Sequence, residues 1–357
     1  MENSDSFKSY LRIVKPKIEE LLIFCSKYGC SDLFITVGEP AVIYRWGILY
    51  QCNGIIDEIA WNEFASVAIT SELNTTYVRQ KFVDFSYVVK NKYRYRVNAG
   101  FSKGKNIATF RMISERIPTF TSLHLDKNVV NLLQRAFSLK QGVSMLVGAT
   151  GSGKTSTLAA CINTFSANPN SPERTPLKDA NLITLEDPIE YSYKSTGSTR
   201  VTQKELGRDF MSFELGIKSA LREHPTHILV GETRDRDTIR ALVEASRTGH
   251  ACITTFHTST VSDTIARLYS YLAGENQDVM FDLVANLNFI LAQELIKGRK
   301  GYTLNYQYMF FTEEIKKVLV EALYKNMNMS NVVEKLVQNK ALQNQKLCQG
   351  WLIERNR

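Results

Sequence analysis

The period of the hydrophobic pattern changes several times along the chain, and each change predicts an element. Tyr10, Leu11, Ile13, Val14, Ile18, Leu21, Leu22 and Phe24 recur at helical spacing, which predicts an amphipathic helix from Ser6 to about Lys27, stopped by Gly29. Ser31 to Val37 reads as a strand, Gly38-Glu39-Pro40 as a turn, and Val42 to Tyr50 as a hairpin about Gly47. Trp61 to Leu73 predicts a second helix, and Phe82 to Val89, Lys92 to Gly100 and Asn106 to Ile113 predict three strands. This first region is therefore expected to be α/β with a largely antiparallel sheet. Pro118, in Arg116-Ile117-Pro118-Thr119-Phe120-Thr121, marks a connection, and Asp126 to Phe137 predicts a helix beyond it. Short apolar runs follow at Ser144 to Val147, Asn181 to Leu185, His227 to Val230 and within Thr248 to Thr258, the pattern of buried parallel strands. The breaker-rich stretch Ser166 to Pro176 reads as a surface excursion. In the tail, Phe281 to Leu295 predicts an amphipathic helix, Tyr302 to Phe311 alternates like a strand, and Thr312-Glu313-Glu314-Ile315 opens another helix.

The first of those apolar runs enters Gly148-Ala149-Thr150-Gly151-Ser152-Gly153-Lys154-Thr155, a full match to the phosphate-loop pattern G-x-x-x-x-G-K-[ST]. Thr155 to Ile162 leaves it with helical spacing. A strand, a glycine turn and a helix N-terminus turn backbone N–H groups inward, and Lys154 adds a full positive charge. Such a site holds a polyphosphate, with Thr155 placed to ligate Mg²⁺.

Two later strands end in acids. Asn181 to Leu185 runs into Glu186-Asp187-Pro188-Ile189-Glu190, and His227 to Val230 into Gly231-Glu232-Thr233-Arg234-Asp235. Parallel sheets gather ligands at the carboxyl ends of their strands, so these acids are candidates to face Mg²⁺ or a water beside the γ-phosphate. An acidic loop is equally a common solvated turn. Gly231 stands where phosphate-loop enzymes usually carry Asp, which leaves Mg²⁺ to Thr155 and waters, and Glu232 to orient or deprotonate the water. His257 follows the fourth strand, where a γ-phosphate sensor would stand, and His250 precedes it. With His224 and His227 these fit no standard zinc spacing. In the first region, a period of two puts Arg94, Arg96 and Asn98 on one face and Tyr93, Tyr95 and Val97 on the other, with Arg111 on the neighbouring strand. Three guanidinium groups can receive a polyphosphate or carboxylates of another subunit. On pattern alone a charged, solvent-facing strand is the better reading.

Composition narrows the picture. A length of 357 residues predicts two domains plus appendages, and 44% hydrophobic with 22% charged residues is globular usage. No run approaches the roughly 18 apolar residues of a membrane span, and Met1-Glu2-Asn3-Ser4-Asp5-Ser6 is polar rather than signal-like, so a cytoplasmic chain is expected. Six scattered cysteines without a CxxC pair fit reduced thiols. The net charge of +8 admits a nucleic-acid or acidic-membrane surface, but the basic residues form no block.

Together the segments resemble the secretion and pilus ATPases of the PilT/type II and type IV secretion superfamily. Gly148 to Thr155 is similar to its Walker A loop, Thr184 to Tyr191 to its aspartate box, Ile228 to Asp235 to its atypical Walker B, and Gly249-His250 through His257-Thr258 to its histidine box. Ser31-Asp32-Leu33, Gly38-Glu39-Pro40, Asp84 to Tyr87 and Arg94 to Asn98 look like its PAS-like N-terminal domain. The tail lacks the pilus-retraction motif, and Leu304-Asn305-Tyr306 with Phe310 to Glu314 looks like the DotB/TraJ branch, which serves type IVB secretion and conjugation. The resemblance implies a PAS-like α/β domain over residues 1–117, a RecA-like ATPase domain over 118–270 and a mainly helical C-terminal extension over 271–357.

It also implies a homohexameric, Mg²⁺-dependent ATPase, recruited to the inner face of the cytoplasmic membrane by proteins of a secretion complex. Lys154 and the loop amides would neutralise phosphate, Glu232 would activate water with Glu186 assisting, and His257 would report the γ-phosphate. Arg94, Arg96 and Arg111 would complete the site, and a hinge near Pro118 would let the domains rock. Two other classes stay open: a RecA-type nucleic-acid motor, and a scaffold that binds ATP without turnover. The motor needs a basic or aromatic strand-tracking loop, and none is concentrated here, so nucleic acid is not expected as a direct ligand. Intact Glu186, Glu232 and His257 argue against the scaffold.

Overall fold

The computed structural model describes residues 7, 11, 15–113, 116–125, 127–166, 177–197, 199–272, 277–298, 301–338 and 347–354. They form two compact units, one comprising the chain up to Arg116 with Asp187–Ser192 and Gly207–Asp209, the other comprising Ile117–Glu186, Tyr193–Leu206 and the chain from Phe210.

In the first unit, α1 (Ile18–Lys27), α2 (Glu58–Ala68) and α3 (Ser71–Gln80) accompany a six-stranded sheet. Its strands are β1 (Asp32–Thr36), β2 (Pro40–Arg45), β3 (Ile48–Ile55), β4 (Phe82–Val89), β5 (Tyr93–Ser102) and β6 (Lys105–Ile113), in the order β3-β2-β1-β6-β5-β4. Every pairing is antiparallel. The alternation along β5 decides which face is the core: Tyr95, Val97 and Ala99 are fully buried, with Leu22 of α1 and Trp61 and Phe64 of α2 in the same cluster. The Tyr95 hydroxyl donates to the Leu22 carbonyl at 2.5 Å, so this buried phenol keeps a partner.

Two helices differ from the sequence reading. The helix expected from Ser6 is interrupted: Phe7 is helical, Lys17 after Pro16 is extended (φ −80°, ψ 142°), and α1 begins at Ile18; most of Ser6 to Val14 lies outside the described residues. The single helix expected over Trp61 to Leu73 is two. Asp57 caps α2 by accepting from Ala60 N at 2.8 Å, and Thr70, itself extended, caps α3 through Leu73 N.

The second unit carries α4 (Lys127–Phe137), β7 (Gly142–Val147), α5 (Lys154–Phe165), β8 (Asn181–Glu186), β9 (Arg200–Glu205), α6 (Phe213–Ala220), β10 (His227–Val230), α7 (Arg236–Arg247), β11 (Ala251–Phe256) and α8 (Val261–Leu272). They continue into α9 (Gln277–Asn286), β12 (Leu287–Gly298), β13 (Gly301–Phe310), α10 (Glu313–Tyr324), α11 (Met329–Gln338) and β14 (Leu347–Glu354). The sheet order is β14-β13-β12-β7-β11-β10-β8-β9. From β12 to β9 the strands are parallel, whereas β13 and β14 are antiparallel additions. Alternate strand residues feed two cores: Val143, Met145 and Val147 pack with α6 to α11, and Leu146, Leu182 and Ile253 pack with α4 and α5. A parallel sheet covered on both faces explains why its strands read as unbroken apolar runs.

β9 and α6 were not anticipated. Neither was the strand in Leu287–Gly298: the helix expected over Phe281 to Leu295 ends at Asn286. Leu287, Phe289, Ile290 and Leu291 are all fully buried, and β12 lies between β7 and β13. A strand buried on both faces shows no alternation, and a short apolar run of that kind is ambiguous with a helix. The C-terminal extension thus adds strands to the main sheet as well as helices to its face. Asp126 and 167–176 lie outside the described residues.

Candidate functional site

The carboxyl ends of β7, β11, β10 and β8 gather the candidate chemistry, as a parallel sheet requires. β7 delivers Gly148 and the loop, and α5 begins at Lys154. Gly151 (φ +80°) and Gly153 (φ +87°) take left-handed conformations that side chains resist. At Gly148 a Cβ would stand 2.3 Å from the Gln293 carbonyl oxygen and 2.4 Å from Ser152 Oγ, so only glycine fits. Gly153 offers no side chain to cap α5, whose first amides are thereby left to an anion. Lys154, 7% exposed, donates from Nζ to the Gly148 and Ala149 carbonyls at 2.7 and 2.9 Å. Burial pushes its ammonium below the usual lysine range, and the Glu232 carboxylate opposes that shift. Thr155 is exposed and Ser156 half-buried on the first turn of α5. Thr150 is exposed on the loop beside them.

Glu232 follows β10 and is 9% exposed. Its Oε1 pairs with Arg234, and His257 Nε2, from the segment after β11, lies 3.2 Å from its Oε2. The backbone beneath is fixed: Thr233 N donates to the Thr255 carbonyl at 3.0 Å, and Thr255 Oγ1 donates to the Gly231 carbonyl at 2.6 Å. Asp235 then caps α7, accepting from Thr238 N and Oγ1 at 2.8 Å each. Lys154, Glu232 and His257, read separately in the sequence, thus share one electrostatic neighbourhood.

Glu186 is the last residue of β8, with β11 and β10 between that strand and β7. Its Oε1 accepts from Thr184 Oγ1 at 2.6 Å and from Gln203 Nε2 of β9 at 2.9 Å, so the carboxylate is held at the same sheet edge by two neutral donors. Gln203 has no signal in the sequence because β9, half-buried along most of its length, shows no clear alternation.

The arginines lie on the outer face of the first unit's sheet. Arg96 stands opposite Arg111 in the β5–β6 register, and Arg94 is two residues along β5. Arg111 Nε donates to Asp32 Oδ1 at 2.9 Å, Arg96 lies 3.9 Å from Asp84, and Arg94 donates to Ser86 Oγ at 3.2 Å. The register assembles the three-guanidinium face that period two predicts.

Two other histidines have local duties. Buried His227 donates from Nε2 to the Phe137 carbonyl at 3.1 Å, and burial lowers its basicity. His250 Nδ1 donates to the Ala245 carbonyl at 3.1 Å, behind α7.

Sequence missed one residue that touches the loop. Gln293 of β12, 2% exposed, donates from Nε2 to the Ser152 carbonyl at 2.8 Å and lies 3.3 Å from Thr157 Oγ1.

Comparison with known proteins places this geometry. Residues 12–321 match the family model described as type II/IV secretion system protein. The type IV pilus retraction ATPase PilT of Pseudomonas aeruginosa is 32% identical over 313 residues, covering 85% of each chain. The crystal structure of the Legionella pneumophila ATPase DotB superposes with a TM-score of 0.79 at 27% identity, covering 92% of this chain and 90% of that one. That of the pilus retraction motor PilT with bound ADP gives 0.72 at 29%, covering 93% and 94%. A phosphate loop followed by an acid-ended strand and a histidine is thus set in a fold shared with both, and the chain belongs to the type II/IV secretion system protein family.

Proposed function

We propose that the protein is a Mg²⁺-dependent ATP hydrolase that works as a homohexamer and energises a type IV secretion or conjugation machine of the DotB kind. The observation that carries this reading is the convergence of Lys154, Glu232 and His257 at the phosphate loop. The glycine cradle, the uncapped N-terminus of α5 and buried Lys154 suit a triphosphate, and exposed Thr155 supplies the hydroxyl oxygen a hard cation takes. Mg²⁺, when bound, screens the phosphate charge. Lys154 would exchange its two loop carbonyls for phosphate oxygens, a charge-assisted and therefore stronger pairing. Glu232 would take a proton from the attacking water as the bond to the γ-phosphorus forms and the bond to ADP breaks. His257, hydrogen-bonded to Glu232, would sense the γ-phosphate and hold that carboxylate, and Glu186 would assist from the neighbouring strand end.

Arg94, Arg96 and Arg111 would supply the remaining positive charge to a nucleotide site of the ring. R94A/R96A is expected to keep nucleotide binding and lose on the order of 100-fold in turnover; wild-type turnover in that variant would remove these arginines from the reaction. Motion of α5 has a path to the connection after the first unit, because Asn163 of that helix donates to the Pro118 carbonyl at 3.4 Å. A hinge near Pro118 would then convert nucleotide state into domain movement.

Among the described residues no helix is long and apolar enough to cross a membrane. In this reading the ring is cytoplasmic and reaches the inner membrane through secretion-complex partners. A pilus or type II secretion motor is the second reading, favoured by the 32% identity to PilT. Pull-down with the stalled E232Q variant separates them: secretion-complex membrane proteins support the first, and pilus-assembly membrane proteins would replace it with the second.

A further inference from the structure

No part in the hydrolysis above falls to Gln293, although it is buried against the loop. Its Nε2 donates to the Ser152 carbonyl, but its Oε1 has no hydrogen-bond partner. A buried amide with an unsatisfied oxygen is costly, and an apolar side chain of the same size would fill the space more cheaply. The side chain is held through its donor end, and that end meets the loop.

Across a trans peptide the C=O and N–H point in opposite directions. A Ser152 carbonyl drawn towards Gln293 therefore aims the Gly153 N–H away from β12. The same Nε2 lies near Thr157 Oγ1 in the first turn of α5, so one amide joins the Ser152–Gly153 peptide to the start of the helix. The Gln293 backbone carbonyl meanwhile backs Gly148 at the other end of the loop. Gly151 and Gly153 both take positive φ, a backbone conformation found where successive N–H groups form an anion-binding concavity.

We propose that Gln293 is a positioning residue for nucleotide binding: it fixes the Ser152–Gly153 peptide so that the Gly153 N–H faces bound phosphate. The inference rests on the loop being the ATP site. A phosphate contact of this kind is made in the ground state and the transition state alike, so its loss weakens binding and spares the chemical step.

The test uses the full chain, a fluorescent ADP analogue for affinity and phosphate release for turnover. Q293M keeps the volume and removes the donor, and Q293E keeps the shape and puts an acceptor there. Each is expected to weaken nucleotide binding on the order of 10-fold to 100-fold. Turnover at saturating ATP should stay within about 3-fold of wild type, and the nucleotide-free melting temperature should be little changed. Wild-type affinity in either folded variant overturns the proposal, as does lost turnover with unchanged affinity. Failure of both variants to fold would assign Gln293 to the core and overturn it too. Failure of the wild type to bind the analogue would instead remove the nucleotide site itself.

Discussion

K154A is expected to abolish ATP turnover, with kcat/KM reduced by at least about 10²–10³-fold. Lys154 is the positive charge embedded in the loop, and burial already makes that charge costly to hold without an anion. Phosphate therefore gains a desolvated ammonium whose hydrogen bonds, among the described residues, go to two neutral carbonyls, with the Glu232 carboxylate as its charged neighbour. Alanine removes the charge and leaves those carbonyls facing the phosphates. Steady phosphate release by K154A at the wild-type rate would sink the assignment of the site. Retained folding is checked by the melting temperature.

E232Q is expected to separate binding from chemistry. The amide keeps the size of the side chain and some of its hydrogen bonds, but it cannot accept a proton from water. Loss of a positioned base costs about 10²–10⁴-fold in turnover, while nucleotide affinity is retained within a few-fold. The neighbourhood sharpens the expectation, since Arg234 and His257 both bond this carboxylate and would hold a glutamine in nearly the same place. Matched losses in affinity and turnover would instead mean that Glu232 serves to bind phosphate or metal.

Much of the candidate site is legible in the sequence because it is local. The phosphate loop is eight consecutive residues whose glycines, lysine and threonine each carry a separate requirement, and the strand and helix around it follow from their own periods. The arginine face was legible for a related reason: on a half-buried antiparallel strand, alternation states which side chains share a side, and the β5–β6 register then sets Arg96 against Arg111.

What was lost lies in non-local pairing. Gln293 reaches Ser152 across 141 residues of sequence, from a strand buried on both faces that has no alternation to betray it. The same ambiguity makes the start of β12 read as helix in the sequence. β9 is only partly buried along most of its length, yet it supplies Gln203 to Glu186. The break between α2 and α3 did have a local signal, Thr70 before Ser71-Glu72, which places a capping hydroxyl ahead of an acidic first turn. The apolar spacing through Ile69 masked it.

The most direct test of the account is the identity of the nucleotide that the protein retains. Wild type and E232Q are each mixed with Mg²⁺ and ATP and separated from free nucleotide, and the bound species is released and resolved chromatographically. The account predicts ADP from the wild type and intact ATP from E232Q. ADP recovered from E232Q at the wild-type pace, or no nucleotide retained by the wild type, would contradict it.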